Sequence, residues 1–403
     1  MDSIGLEPHH RCPGAQSRSR AVGVAAFLAV MAACTQNGVP PKIVSCGPVP
    51  AGRVVQLNAG VAISANDIWA VGQFQNMGPG IPFGEHWDGH MWTSSVVPVG
   101  NWHQSAHLSA VSAASSRDVW AVGGGQNSSE QQTLIEHWNG STWAVVQSPD
   151  ASLRSNQLTA VDVIDANDAW TVGDYLTADR DLVLTEHWDG VSWTIVGAKN
   201  PAATINRLSG VSAVSANDVW AVGFRRESDN ATPQTLIEHW DGYQWNVVSS
   251  PSPGVTASLA AVQAISAIDI WAAGSYSNGT TFMPLVEHWD GRSWSVASGP
   301  AAPNATVRTI AVTSSDNVWI AGGIGGDQTA GWLVLHWNGH RWSDLSPMGT
   351  DMGIANQVVA EGDAIWALGT YRPGACGTDL ALIQRWDGMR WKYVPSLHDK
   401  PNV

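Results

Sequence analysis

Lysine is almost missing from this chain: four residues in 403, beside sixteen arginines and 34 acidic residues, for a formal net charge of −14. Nucleic-acid binding relies on clustered cations that release counterions from phosphates, and docking on anionic lipid relies on a basic patch, so this balance argues against both. Cysteine is scarce, with four residues, and tyrosine and phenylalanine contribute five each. The apolar run from Ala21 to Ala33 has 13 residues, too short to cross a bilayer as a helix. A 3.6-residue apolar period is missing, which removes helical repeats. No Ser/His/Asp order, Gly-rich phosphate cradle or metal-ligand spacing stands above the background, so neither cofactor nor metal is expected.

What is abundant is tryptophan, and it is ordered. Of 23 tryptophans, 21 fall in one repeating pattern: Trp-x-x-Gly, then His-Trp-(Asp/Asn)-Gly, then Trp. The first tryptophans are Trp69, Trp120, Trp170, Trp220, Trp271, Trp319 and Trp366, spaced by 47 to 51 residues. Each is followed by a glycine three residues on (Gly72, Gly123, Gly173, Gly223, Gly274, Gly322, Gly369), and each unit closes with a pair five apart, from Trp87/Trp92 to Trp386/Trp391. A period of this length marks a propeller or a solenoid.

Within one unit, Leu208–Val214 reads as a first strand, Ser215-Ala216-Asn217-Asp218 as a turn, Val219–Gly223 as a second strand, Thr235–Trp240 as a third and Trp245–Val248 as a fourth, with Asp241-Gly242 at the hairpin. Four antiparallel strands repeated seven times predict an all-β fold, a seven-bladed β-propeller. Glycine after an apolar strand, then Trp-(Asp/Asn), then a later Trp, resembles the kelch repeat of bacterial propellers and of the galactose oxidase propeller domain. The hairpin Asp-Gly-x-x-Trp is similar to the Asp-box of sialidase-type propellers. The double glycine of kelch is matched only at Gly123-Gly124 and Gly322-Gly323, and Asp and Gly are adjacent where the Asp-box separates them by one residue.

Arg11, Arg18 and Arg20, the apolar run and Met31-Ala32-Ala33-Cys34 read as an export signal over residues 1–34 with a lipobox-like end, placing a lipid on Cys34. Residues 35–50, with Pro40, Pro41, Pro48 and Pro50, read as a tether, 51–396 as the propeller and 397–403 as a tail. Cys46 and Cys376 form an even pair in an exported chain, brought together where the last blade abuts the first, and are expected to form a disulfide. The chain is thus expected in a bacterial cell envelope or secreted, touching membrane only through its lipid.

His86, His137, His187, His239, His288 and His336 all precede a hairpin tryptophan, five of them after a glutamate. Equivalent positions on neighbouring blades lie roughly 15 Å apart, given about 4.8 Å per strand, whereas a metal ligand must come within about 2 Å. These His and Glu side chains are therefore read as structural, bonding between blades. Asp67, Asp118, Asp168, Asp218 and Asp269 are read as turn caps.

Function on a repeat scaffold belongs where the repeats differ, in the loops joining strands two to three (73–83, 124–132, 174–181, 224–234, 275–284, 323–331, 370–379) and blade to blade, which share one face. Trp102 and Trp332, the two tryptophans outside the lattice, are candidate exposed anchors there. Gln56, His107, Gln157, Arg207, Ser258, Arg308 and Gln357 precede successive first strands and should ring the channel mouth, where Arg207, Arg308 and His107 offer a site for an anionic or hydroxylated ligand. The sialidase resemblance implies three arginines for a substrate carboxylate, for which Arg207, Arg308 and Arg372 stand with Tyr371. The galactose oxidase resemblance implies a copper site with a Cys-modified tyrosine, and no tyrosine lies beside a cysteine at a suitable position. The expected function is a monomeric, non-enzymatic binding propeller for a protein or glycan partner; the alternative is a carbohydrate-active enzyme.

Overall fold

The computed structural model describes residues 53–396 except 77, 101–103, 128–129, 298, 326–330, 348–352 and 373–378. The expected signal, tether and tail, and with them Cys34, Cys46, Cys376 and Trp102, lie outside the described residues. Among the described residues all 28 regular elements are β-strands, in consecutive antiparallel groups of four. Three groups between Ser105 and Val248 are joined into one twelve-stranded sheet by single parallel bridges, Gln131 with Ser155 and Asp181 with Ile205. Every group is drawn from one contiguous stretch of chain, including the first and the last.

The fourth group shows the local logic. Its strands are Ile205–Ser215, Asp218–Arg226, Gln234–Trp240 and Trp245–Val248. The second strand runs past Gly223 to Arg226, so the loop expected at 224–234 shrinks to 227–233. The hairpin after the third strand is a four-residue loop in which Asp241 Oδ1 accepts the backbone N–H groups of Tyr243 and Gln244 at 2.9 Å, and Gly242 takes φ +90°. That is why Asp or Asn, then Gly, recurs there: one supplies the acceptor, the other the left-handed backbone.

Each first strand carries a bulge just after its Leu, Val or Ala, so that Asn58, Ser109, Thr159, Ser209, Ala260, Arg308 and Asn356 have no partner across the ladder. The seven residues all line one cavity of about 190 Å³, the central channel. The bulge pushes the preceding carbonyl toward the second strand, and there the lattice glycine sits. A β-carbon on Gly223 would lie 2.0 Å from Arg207 O, and on Gly173 1.9 Å from Gln157 O. The glycines are therefore required by close backbone approach, not by turn geometry.

Tryptophan binds most groups to the next. The first Trp of a group packs against the hairpin Trp of the following one, with centroids 5.0 Å apart for Trp69 and Trp138 and 4.8 Å for Trp120 and Trp188. The pattern continues from last to first, Trp366 lying 5.2 Å from Trp87. Asn356 Nδ2 also donates to Leu57 O at 2.7 Å, repeating the bond from Asn58 to Leu108 O, and the backbone N–H of Val55 donates to Asp379 O at 3.0 Å. One hydrophobic cluster joins Val55, Leu57 and Trp92 to Trp366, Leu368 and Ile383. Trp366→Ala should cost about 3–5 kcal/mol. Amide hydrogen exchange should then speed up most in residues 54–60 and 354–359; uniform acceleration over the whole chain would contradict this local role.

The structural histidines and acids are arranged differently from expectation. His Nε2 bonds within its own group, to the Asp two residues before the first Trp: His86 to Asp67 at 2.7 Å and His187 to Asp168 at 2.9 Å. The same carboxylate accepts the indole N–H of Trp120, Trp220 and Trp271 in their repeats. These aspartates are thus not turn caps; that task falls to Ser64, Ser115, Asp165, Ser215 and Ser266. The glutamates are the residues that bond between groups. Glu186 accepts from Ser148, Glu238 from the backbone N–H of Lys199, and Glu85 from Ser396, across the last-to-first junction.

Candidate functional site

The first strands run from the channel mouth toward the turn that leads to the second strand, so their starting residues rim the mouth. Asn58, His107, Ser109, Gln157, Ala260, Arg308 and Asn356 enclose a hollow of about 430 Å³ there. His107, Gln157 and Arg308 stand where the sequence predicts, but Arg308 reaches the mouth by another route. Pairing of Val307 with Gly322 makes Arg308 the bulge residue of its strand, equivalent to Ser109 and Ser209 and two places beyond His107 or Arg207. In the last group the bulge residue is Asn356, one place before Gln357, which lines the channel instead.

The side chains at the mouth are held. Arg308 donates to Asn356 Oδ1 at 3.1 Å, and Asn356 in turn donates to the first group. Gln73 donates to Gln56 at 2.6 Å. Burial pushes the His107 imidazole below its usual pKa, so it is neutral at pH 7 and offers one donor and one acceptor. Beside this hollow, Arg308 and Arg372 line a smaller one of about 90 Å³ with Gln56, Asn58 and Asp379. Arg372 is paired with Asp379 at 2.9 Å.

Arg207 sits apart, in a cluster between the third and fourth groups. It donates to Asp181 at 2.5 Å and lies 3.7 Å from Asp174. Burial, helped by the Asp181 charge and opposed by Arg207, pushes Asp174 up to about 6. Asp174 pairs across the strands with Gln157 of the mouth. Asp174 stands out from no motif in the sequence, since its desolvation arises only in the fold.

Two candidates are overturned. Trp332 is not an exposed anchor: it begins a third strand, is 1% exposed and donates its indole N–H to Thr370 O at 2.9 Å. The loop around it is shorter than its composition suggests, and the ring covers a blade edge. Tyr371 is 7% exposed and belongs to the core shared by the last two groups, so it does not stand on the open face as a nucleophile would. The three arginines expected of a sialidase-type carboxylate clamp are likewise not assembled, since Arg207 lines neither hollow that holds Arg308 and Arg372. No group of three His, Cys, Asp or Glu side chains among the described residues is placed to hold a metal.

The sequence matches no family model and no curated protein. Solved structures do resemble the fold. YCF48 bound to D1 peptide aligns over 87% of this chain and 93% of its own, at 15% identity and TM-score 0.50. A puromycin hydrolase complexed with PGG aligns over 90% of this chain at 9% identity and TM-score 0.54, and a puromycin-hydrolyzing peptidase of Mycobacterium tuberculosis over 89% at 11% and 0.50. The chain spans 57% of the length of each of these two. At such identities the likeness speaks for architecture alone, and with the strand pairing described above it identifies the chain as a β-propeller.

Proposed function

We propose that the chain is a seven-bladed, kelch-like propeller, closed by docking of its last blade on its first, and that it works as a non-catalytic module binding an extended polypeptide across the channel mouth. The observation that carries this reading is the makeup of the mouth: Asn58, His107, Gln157, Arg308 and Asn356, from five blades, present amides, a neutral imidazole and a guanidinium around one hollow. Amide and imidazole groups match the donors and acceptors of a peptide backbone, and Arg308 matches a carboxylate. That YCF48 was captured with a peptide supports the same class of partner. The proposal includes export through residues 1–34, with a lipid on Cys34, a Cys46–Cys376 disulfide and a monomeric state.

The test is a displayed peptide library panned on the protein beside Arg308→Gln and His107→Ala, with a glycan array run in parallel. Enrichment of peptides that both variants lose by about tenfold or more supports the mouth. Enrichment unaffected by them moves the site elsewhere, and glycan binding in its place replaces the partner class.

One observation favours the alternative of a carbohydrate-active enzyme. Asp174, Asp181 and Arg207 bring two carboxylates and a cation together beside the mouth, with Asp174 titrating near 6, as a general acid requires. Glycosidase turnover abolished by Asp174→Asn would establish that reading; no turnover on a panel of aryl glycosides would dismiss it.

A further inference from the structure

A further cavity lies on the opposite face, between the sixth and seventh repeats. It measures about 640 Å³, and its walls include Trp319, Trp386, His336, Arg385, Asp387 and Lys392. Its origin is a chain of departures from the repeat. In six repeats the second residue of the turn between strands one and two covers the hairpin glycine: Asn66 over Gly89, Asn217 over Gly242, Asp316 over Gly339. Those repeats also carry a second register shift near the end of the first strand, or at the turn itself, as between Ala213 and Ser215. The seventh first strand has a single shift, between Ala355 and Gln357. Its turn is reset through Gly362 at φ +57°, and nothing lies within 4 Å of where a β-carbon on Gly388 would stand.

The tryptophan packing here is also looser than at five of the other junctions. At five junctions the first Trp and the following hairpin Trp lie 4.8–5.2 Å apart, whereas Trp319 and Trp386 are separated by 6.3 Å. The polar residues change too. Ala364 stands where five repeats have the bonded aspartate, and Arg385 where six have histidine. Arg385, half-buried, lays its guanidinium 5.2 Å from the Trp366 ring centre. Lys392 reaches Asp387 at 3.0 Å on the rim.

We propose that this cavity binds a saccharide bearing a carboxylate, of the uronic acid kind. Its volume suits one or two sugar rings. The half-exposed face of Trp386 offers a stacking wall for the C–H face of a ring. The guanidinium of Arg385 presents a fork matched to a carboxylate, while Lys392, Asp387 and Asn317 supply donors and acceptors for hydroxyls. The net charge of the chain repels anions at long range, so selection of an acidic ligand depends on these local groups.

The test is calorimetric titration of the full chain with digalacturonic acid, with the neutral disaccharide cellobiose as control. Saturable uronide binding, at least tenfold tighter than cellobiose, is expected, with Arg385→Gln removing that preference and Arg308→Gln leaving it intact. Should Arg385→Gln lose its fold with its ring contact, Lys392→Gln, an exposed change, serves instead and should weaken uronide binding several-fold. Equal affinity for the two sugars, undiminished uronide binding by the variants, or no saturable binding at all overturns the proposal. Because Arg308 and the mouth lie on the other face, failure here and failure of the peptide-binding reading are read separately.

Discussion

Replacement of Gly223 by alanine is expected to lower stability by about 3–5 kcal/mol, enough to leave the propeller largely unfolded at 37 °C if its total stability is ordinary. The new methyl would stand 2.0 Å from Arg207 O and 2.9 Å from the carbonyl carbon behind it, both backbone atoms that cannot swing aside. Relief requires the bulge at Ser209 to flatten or the first two strands to separate, and either withdraws Leu208 and Val222 from cores in which both are fully buried. Gly197→Ala is the control: nothing lies within 4 Å of the added carbon, and a change within about 0.5 kcal/mol is expected. Urea unfolding of the two variants measures the difference. Equal midpoints would show that the lattice glycines are there for some reason other than the approach of the bulged carbonyl.

Stability should fall as pH rises from 5 to 8.5, the reverse of the usual acid-labile behaviour. The side chains of Glu136, Glu186, Glu238 and Glu287 are wholly buried. Burial pushes Glu136, Glu186 and Glu287 up to about 8, and Glu238, held lower by the N–H of Lys199, to about 7. An unfolded chain ionises these groups near pH 4.5, while the folded chain keeps its protons until pH 7–8. Between those limits the folded state binds more protons, so each unit of pH removes stability. Even one unit of effective shift at each of four sites, at about 1.4 kcal/mol per unit, amounts to about 5 kcal/mol. The repeat itself supplies the neutral replacement: Gln384, also fully buried, occupies the equivalent position in the seventh group and Leu335 in the sixth. Chemical denaturation at pH 5 and 8.5 should show the loss in the native protein and its near disappearance in the variant carrying Glu→Gln at 136, 186, 238 and 287. A flat or rising profile for the native protein would mean that these carboxyls ionise freely in the fold.

The tryptophan and glycine lattice made the strands, their order and their repeat legible, because both residue types answer to local geometry that one repeat contains in full. Contacts between repeats were less legible. Histidine and aspartate lie 19 or 21 residues apart and bond within a repeat, while glutamate bonds to its neighbour, and no spacing distinguishes the two cases. Arg308 was placed two residues off because the sixth repeat is shorter and only strand pairing fixes its bulge. Trp332 looked exposed because the segment before it reads as polar loop, whereas its partner, Thr370 O, belongs to the next repeat. The raised pKa of Asp174 comes chiefly from burial, which no sequence pattern displays, with Asp181 adding to it and Arg207 opposing it.

Among the described residues each four-stranded group is cut from one uninterrupted stretch of chain, and no strand of the last group completes the sheet of the first. The last group therefore meets the first through side chains and single backbone bonds, with indole rings, one amide bridge, one backbone N–H and one serine-to-glutamate contact, and no interlocked strand among the described residues acts as a latch. A propeller assembled in this way can gain or lose a whole repeat without stranding half a sheet.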